Sequence, residues 1–345
     1  MDNKNTLATI SNNLFNGINH LIENAQNRIA IFLNSETTLL YWSIGQYINT
    51  ELKENDRLKY GAKILATLSQ ELTKKHGKGY TYTALTRMGK VAIAFKKENI
   101  ATVSQQLSWS HLIELAAIEN ETKRLYYTIV SANQTWAVRK LRDEIDAMAF
   151  ERSAIAKKPG NEIIAELKKA SSGTILNPDL VFKNSYVFNF LGLSNLHTEK
   201  ELENAIISHL EKFIMELGSD FAFLERQKRI SVDAVDYYLD LLFYHRKLNR
   251  LVVIDLKIGK FKPKYKAQME LYLRYLQKYE QQKHEEAPIG LLLCSEGNTE
   301  HIELLLLDEE NIRVAQYLNE LPDKQWFIEK MHRAIEISKM NLDQN

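Results

Sequence analysis

Through the first 155 residues apolar side chains return every three or four positions, as at Ile18, Leu21, Ile22, Ala25, Ile29 and Phe32, and again at Leu40, Ile44, Tyr47 and Ile48. That period marks helices with one apolar face, so 1–155 predicts an almost wholly helical domain. The pattern breaks at Lys157-Lys158-Pro159-Gly160. A short helical stretch from Asn161 to Ala170 leads into Ser171-Ser172-Gly173 and Asn177-Pro178-Asp179, so 156–180 reads as a linker. From 181 to 345 the period changes. A helix is predicted from Thr198 to Leu217, opened by Thr198-Glu199-Lys200-Glu201 as a capping box and closed by Gly218. Strand-like runs follow at 221–231, 234–244 and 251–258, the last two joined by the polar turn 245–250. A helix over 264–282, a strand over 289–294, a helix over 299–306, a strand over 312–317 and a terminal helix over 322–340 complete an α/β pattern.

Composition adds bounds. At roughly 150 residues per domain, 345 residues suit two domains. A hydrophobic share of 45% with 26% charged residues suits soluble globular folding, and only 13 Gly and 5 Pro argue for long regular elements and against disorder. The net charge of +1 hides an asymmetry: residues 1–160 hold 21 Lys/Arg against 15 Asp/Glu, and residues 161–345 hold 24 against 29. Cys294 is the single cysteine, which excludes an intrachain disulfide and a zinc site built on several thiolates. With no stretch near the roughly 18 apolar residues of a membrane span, and no secretory pattern at Met1-Asp2-Asn3-Lys4, the expected address is the cytoplasm, with no membrane partner.

The candidate chemistry lies in Leu251-Val252-Val253-Ile254-Asp255-Leu256-Lys257-Ile258. In a strand, Asp255 and Lys257 leave one face while Ile254, Leu256 and Ile258 leave the other. Charges on a central strand are costly to desolvate unless paired or bound to a metal. Asp240 sits inside the preceding apolar run, and a hairpin through 245–250 carries it close to Asp255. Two converging carboxylates require a cation between them, and a hard divalent ion with oxygen ligands, Mg2+ or Mn2+, answers that need. Lys257 then faces the metal-bound water or a scissile phosphate. The lysines after the strand, Lys262 among them, are candidates to grip phosphate. Gln227, on the first strand, either reaches the site or pairs across the sheet.

Asp240 followed by Asp255-Leu256-Lys257 resembles the Asp…(Asp/Glu)-x-Lys signature of the PD-(D/E)XK nuclease superfamily, in a matching α-β-β-β-α-β order. Leu239 stands where that signature commonly has Pro, and Asp255 where it commonly has Glu. The resemblance implies that Glu203, on the preceding helix, is a further metal ligand. It also implies a site role for Gln268 and Tyr272, in Gln268-Met269-Glu270-Leu271-Tyr272, which is similar to a Gln-x-x-x-Tyr motif. Phe213-Ile214-Met215-Glu216-Leu217-Gly218, Tyr41-Trp42-Ser43-Ile44-Gly45, Leu107-Ser108-Trp109-Ser110-His111 and Trp136-Ala137-Val138-Arg139-Lys140-Leu141 narrow the likeness to the YhcG family of bacterial proteins, over nearly the whole chain. The family implies a restriction-endonuclease-like domain with a central mixed sheet over 181–345, after the helical domain. It further implies a metal-dependent endonuclease acting on DNA, with RNA still open, in defence, mobile-element or DNA-processing contexts. The competing readings are a non-catalytic nucleic-acid-binding protein and a partner-docking protein on a nuclease fold.

In the helical half, Gly61 to Lys75, the glycine turn His76-Gly77-Lys78-Gly79-Tyr80, and Thr81 to Lys97 have the order of a helix-turn-helix, with Thr81 or Thr83 as cap. Lys74, Lys75, Lys78, Arg87 and Lys90 gather around that turn, where such a unit meets nucleic acid. A protein partner for this domain, and a homodimer that brings two sites to two strands, are the other associations expected. His111, Cys294 and the tryptophans Trp42, Trp109 and Trp136 are read as structural.

Overall fold

The computed structural model describes residues 2–54, 61–158, 160–171, 177–192, 198–297 and 311–323, with residues 325, 326 and 329. They divide into two compact units, Met1–Arg142 and Asp143–Asn345. The first unit is built from helices α1 (Asp2–Glu54), α2 (Gly61–His76), α3 (Tyr82–Ala94), α4 (Lys97–Val103), α5 (Trp109–Ala116) and α6 (Glu121–Asn133), and α7 (Val138–Asp146) crosses the division. The two apolar stretches of α1 belong to one unbroken helix, since no proline interrupts them.

The second half of α1 packs on α3. Ile48, Leu85 and Met88 are buried there, with Ile44, Leu52, Leu65 and Trp109 around them. Gly45 is the point of closest approach, because a Cβ there would lie 2.1 Å from the Met88 carbonyl oxygen. Trp42 Nε1 donates to the Phe95 carbonyl at 2.8 Å, and His111 lies between Ser108 and the Trp136 carbonyl, so both are structural as expected. Between α2 and α3 the chain turns at Gly77, whose φ of 91° suits glycine, and the Thr81 hydroxyl caps α3 by accepting from the Ala84 N–H. α3 stops at Ala94, short of the expected Lys97, where Phe95 turns extended.

The second unit contains α8 (Ala149–Arg152), α9 (Gly160–Ser171), α10 (Glu199–Ser208), α11 (Leu210–Leu217) and α12 (Pro263–Tyr279) with strands β1 (Ser185–Val187), β2 (Phe221–Val232), β3 (Val235–His245), β4 (Arg250–Lys257), β5 (Ile289–Cys294) and β6 (Ile312–Leu318). The sheet order is β1-β6-β5-β4-β3-β2, parallel from β1 to β4 and antiparallel from β4 to β2. One face of the sheet carries Val252, Ile254 and Leu256 in a core with Leu202 and Ile206 of α10 and Phe213 and Leu217 of α11. The other carries Val253, Leu292 and Cys294 against Met269, Leu273 and Leu276 of α12.

The expected helix over 198–217 is two helices, because His209 leaves helical backbone angles between them, while Thr198 and Glu201 form the expected capping box. The units divide at Arg142, and the chain after α7 is tied into the second unit, where Ser153 bridges to Lys183. Asn184 N–H donates to the Arg152 carbonyl, and the Arg152 guanidinium pairs with Glu216 of α11. The stretch expected to link the domains contains α9, and its Asp179 pairs with Lys158 at 2.5 Å and Arg313 at 3.0 Å. The helix expected over 299–306 and most of that over 322–340 lie outside the described residues. No helix among the described residues is long and apolar enough to cross a membrane.

Candidate active site

β3 and β4 pair antiparallel from His245–Arg250 to Leu241–Ile254. One step further in the same register, Asp240 stands across from Asp255, and here a side chain takes over from the ladder. The Leu256 N–H donates to Asp240 Oδ2 at 2.8 Å. The hairpin therefore brings the two carboxylates together, as their spacing predicts.

Asp255 and Lys257 share a face of β4 while Ile254 and Leu256 enter the opposite core. Asp255 is 2% and Lys257 6% exposed. Lys257 Nζ forms a close ion pair with Asp255 Oδ2 at 2.8 Å, and among the described residues no other group satisfies this buried oxygen. Glu199, at the start of α10, approaches the same ammonium at 3.6 Å, and the Tyr265 ring lies 5.3 Å away.

Burial, then the neighbouring Asp240, pushes the Asp255 carboxyl up to about 7, against the pull of Lys257. Burial works against the Lys257 ammonium, but Asp255, Asp240 and Glu199 outweigh it and hold its pKa above the usual lysine range. The lysine is thus a fixed cation beside two crowded carboxylates.

Glu203 is buried on α10, as part of the face that also carries Leu202 and Ile206. Its Oε2 accepts from Gln227 Nε2 at 2.7 Å, and the same amide donates to Asp240 Oδ1 at 3.2 Å. Gln227 does this from an unusual backbone position. The β2–β3 ladder pairs Arg226 with Leu241 and Lys228 with Leu239, and between them Gln227 has φ 47°, a region that non-glycine residues seldom enter. Arg226 Nε lies 3.2 Å from Glu203 Oε1. Burial raises the Glu203 pKa, opposed by Arg226 and Gln227.

The remaining candidates divide. Gln268 donates to the Tyr272 hydroxyl, which donates to the Tyr238 carbonyl at 3.1 Å. Tyr272, expected to touch nucleic acid, is buried instead, because α12 presses this face onto the sheet; the pair braces the end of β3. Lys262 is exposed at the start of α12. In the first unit Lys74, Lys75, Lys78, Arg87 and Lys90 are all exposed, and Arg87 and Lys90 share a face of α3. Cys294 is buried core. Glu199 and Arg226 enter the site unforeseen, as single charges among several on solvated-looking segments.

Among the described residues no three His, Cys, Asp or Glu side chains stand together as a ready metal cage. Glu203, expected as a further ligand directly or through water, stands beside Asp240 and is engaged by Gln227 and Arg226. Asp240 and Asp255 nonetheless supply hard oxygen donors, one of them a buried oxygen without a hydrogen bond. A small divalent ion commonly takes only one or two carboxylates and fills its shell with water, so the pair fits such an ion.

Residues 179–332 match the YhcG PDDEXK nuclease domain, and residues 17–152 match the DUF1016 N-terminal domain. The YhcG protein of Escherichia coli (strain K12) is 29% identical over 354 residues, covering 93% of each chain. A crystal structure of a repair endonuclease from Pyrococcus abyssi aligns over 37% of this chain and 49% of its own, with 23% identity and a TM-score of 0.27. PDDEXK nucleases as a class use divalent metal ions. A helical region matched by the DUF1016 N-terminal domain, then a mixed-sheet region matched by the YhcG PDDEXK nuclease domain, with a relative alike from end to end, make this a YhcG-like chain with a nuclease domain of the PD-(D/E)XK type.

Proposed function

We propose that the protein is a metal-dependent endonuclease that hydrolyses phosphodiester bonds in DNA, in a cytoplasmic defence, mobile-element or DNA-processing setting. The observation that carries this reading is the buried group of Asp240, Asp255 and Lys257 within a nuclease domain. Asp240 and Asp255 would hold Mg2+ or Mn2+, which when bound polarises a phosphate and makes water a better nucleophile. Lys257 directs a fixed positive charge at the phosphate oxygens, where charge accumulates in the transition state. Glu203 acts one layer out: through the Gln227 amide it keeps the Asp240 carboxylate aimed. Gln268, through Tyr272, steadies the strand that carries Asp240. Lys74, Lys75, Lys78, Arg87, Lys90 and Lys262 supply positive charge that positions a polynucleotide by its phosphates without reading its sequence.

The test is to incubate purified protein with linear, supercoiled, branched and single-stranded DNA, and with RNA, in Mg2+, Mn2+ or EDTA. Metal-dependent DNA products support the reading. Cutting of RNA alone moves the substrate class, and binding without cleavage in either metal transfers the protein to the non-catalytic reading.

A further inference from the structure

We propose that α1 pairs with α1 of a second copy of this chain, antiparallel, through the apolar stripe of its N-terminal half. The two halves of this helix are unlike. From Thr38 onward α1 turns side chains such as Trp42 and Ile48 into its own domain, whereas Phe15 is 67%, Leu21 69%, Ile29 59% and Phe32 63% exposed. A helix of a globular protein turns such a face inward, so this one lacks its covering.

The stripe has the spacing of a helix–helix seam. Phe15, Ile18, Ile22, Ala25, Ile29 and Phe32 follow in steps of three, four, three, four and three residues. Glu23, Asn24 and Asn27 lie off that line. Reversed, the seam nearly repeats itself: Phe15 corresponds to Phe32, Ile18 to Ile29, and Ile22 to Ala25. An antiparallel partner therefore sets like against like at the ends and large against small at the centre. A parallel register would stack Ala25 on Ala25 and leave a void, which close packing disfavours.

Size points the same way. With flanking Leu21 and Leu33, the seam opens on the order of 800 Å2 of apolar surface per copy, the share each partner brings to a standard stable interface. The stripe is about 27 Å long at the helical rise per residue. Ordering it costs little extra, because the packed second half of α1 already nucleates the helix.

Sedimentation equilibrium of the full chain at micromolar concentration is expected to give twice the chain mass of 40.0 kDa. Joint substitution Ile18→Glu and Ile29→Glu should weaken association by more than about 100-fold and return the single-chain mass. Helical content by circular dichroism should hold, since both side chains face solvent in one copy. Asn27→Lys, off the seam, should leave the dimer intact. Mixing Ile18→Cys chains with Ile29→Cys chains under mild oxidation should join unlike chains, with buried Cys294 out of reach. A monomeric native chain, including one that takes up a foreign helix instead, overturns the proposal. So does a dimer that survives the two glutamates, or disulfides that join only like chains.

Discussion

Asp255 and Lys257 on β4, and Lys74, Lys75 and Lys78 around the turn after α2, are charged groups in opposite surroundings. The first pair is buried beside Asp240, Glu199 and the Tyr265 ring, while the second group is exposed. A charge taken out of water must be answered by a neighbour, so burial ties each of these residues to a small set of atoms and a narrow range of chemistry. A charge left in water imposes no such set. The buried group therefore supports a mechanism, and the exposed group supports an attraction whose partner the geometry leaves open.

The sharpest way to break that contrast is to remove the buried cation. Lys257→Ala should slow cleavage by about 100- to 1,000-fold, as loss of one aimed electrostatic stabiliser does. Single-turnover rates at saturating metal check this, and a rate within threefold of the native chain would return Lys257 to a structural role.

A buried titratable group away from the chemistry supplies the next test. His245 closes the β3–β4 hairpin by accepting the Leu248 N–H on Nδ1 at 3.0 Å, and burial lowers its pKa to about 4. Because the folded state binds this proton less readily than the unfolded chain, the contribution is full above about pH 6.5. It is lost as pH falls from there toward 4, by at most about 3 kcal/mol. Urea unfolding of the nuclease domain's signal across that window should show the decline, and His245→Gln should flatten it.

Gln227→Ala should reduce the rate by about 10- to 100-fold and raise the metal concentration needed for half-maximal activity, as loss of an outer partner of a metal-holding carboxylate does. Gln227→Gly sharpens the point. Glycine accepts the positive φ without strain, so a rate as low as that of the alanine variant assigns the effect to the amide rather than the backbone.

The smallest effect per residue belongs to the exposed group. Reversing Lys74, Lys75 and Lys78 to Glu should weaken DNA binding and lower the log–log salt slope by about 0.9 for each phosphate no longer neutralised. An unchanged slope with unchanged affinity would direct this surface toward a protein partner.

Much of the nuclease domain was legible in the sequence for the same reason. Alternating residues in 251–258 set Asp255 and Lys257 on one face, and the length of the 245–250 turn fixed the register that carries Asp240 to them. β1 was not legible, since three residues show no period, and neither was the break at His209, where no proline or glycine stands. Gln227 could be weighed but not assigned, because its role depends on an irregular β2 backbone that no side-chain pattern announces. Glu203 was found by family likeness, yet its tie to Gln227 and Arg226 emerged only once the helix lay against the strand. In α1 the period was plain, but spacing alone did not distinguish the half that enters the domain from the half left open.

The central claim is that the crowded Asp240–Asp255 pair is a metal-holding catalytic centre, and Asp255→Asn tests it with little change in volume. Cleavage of the preferred DNA in Mg2+ and Mn2+ should fall by at least about 1,000-fold, while melting drops no more than a few degrees, since the substitution relieves a buried carboxylate of its repulsion with Asp240. Native-like cleavage by the folded variant would contradict the account and remove Asp255 from the chemistry.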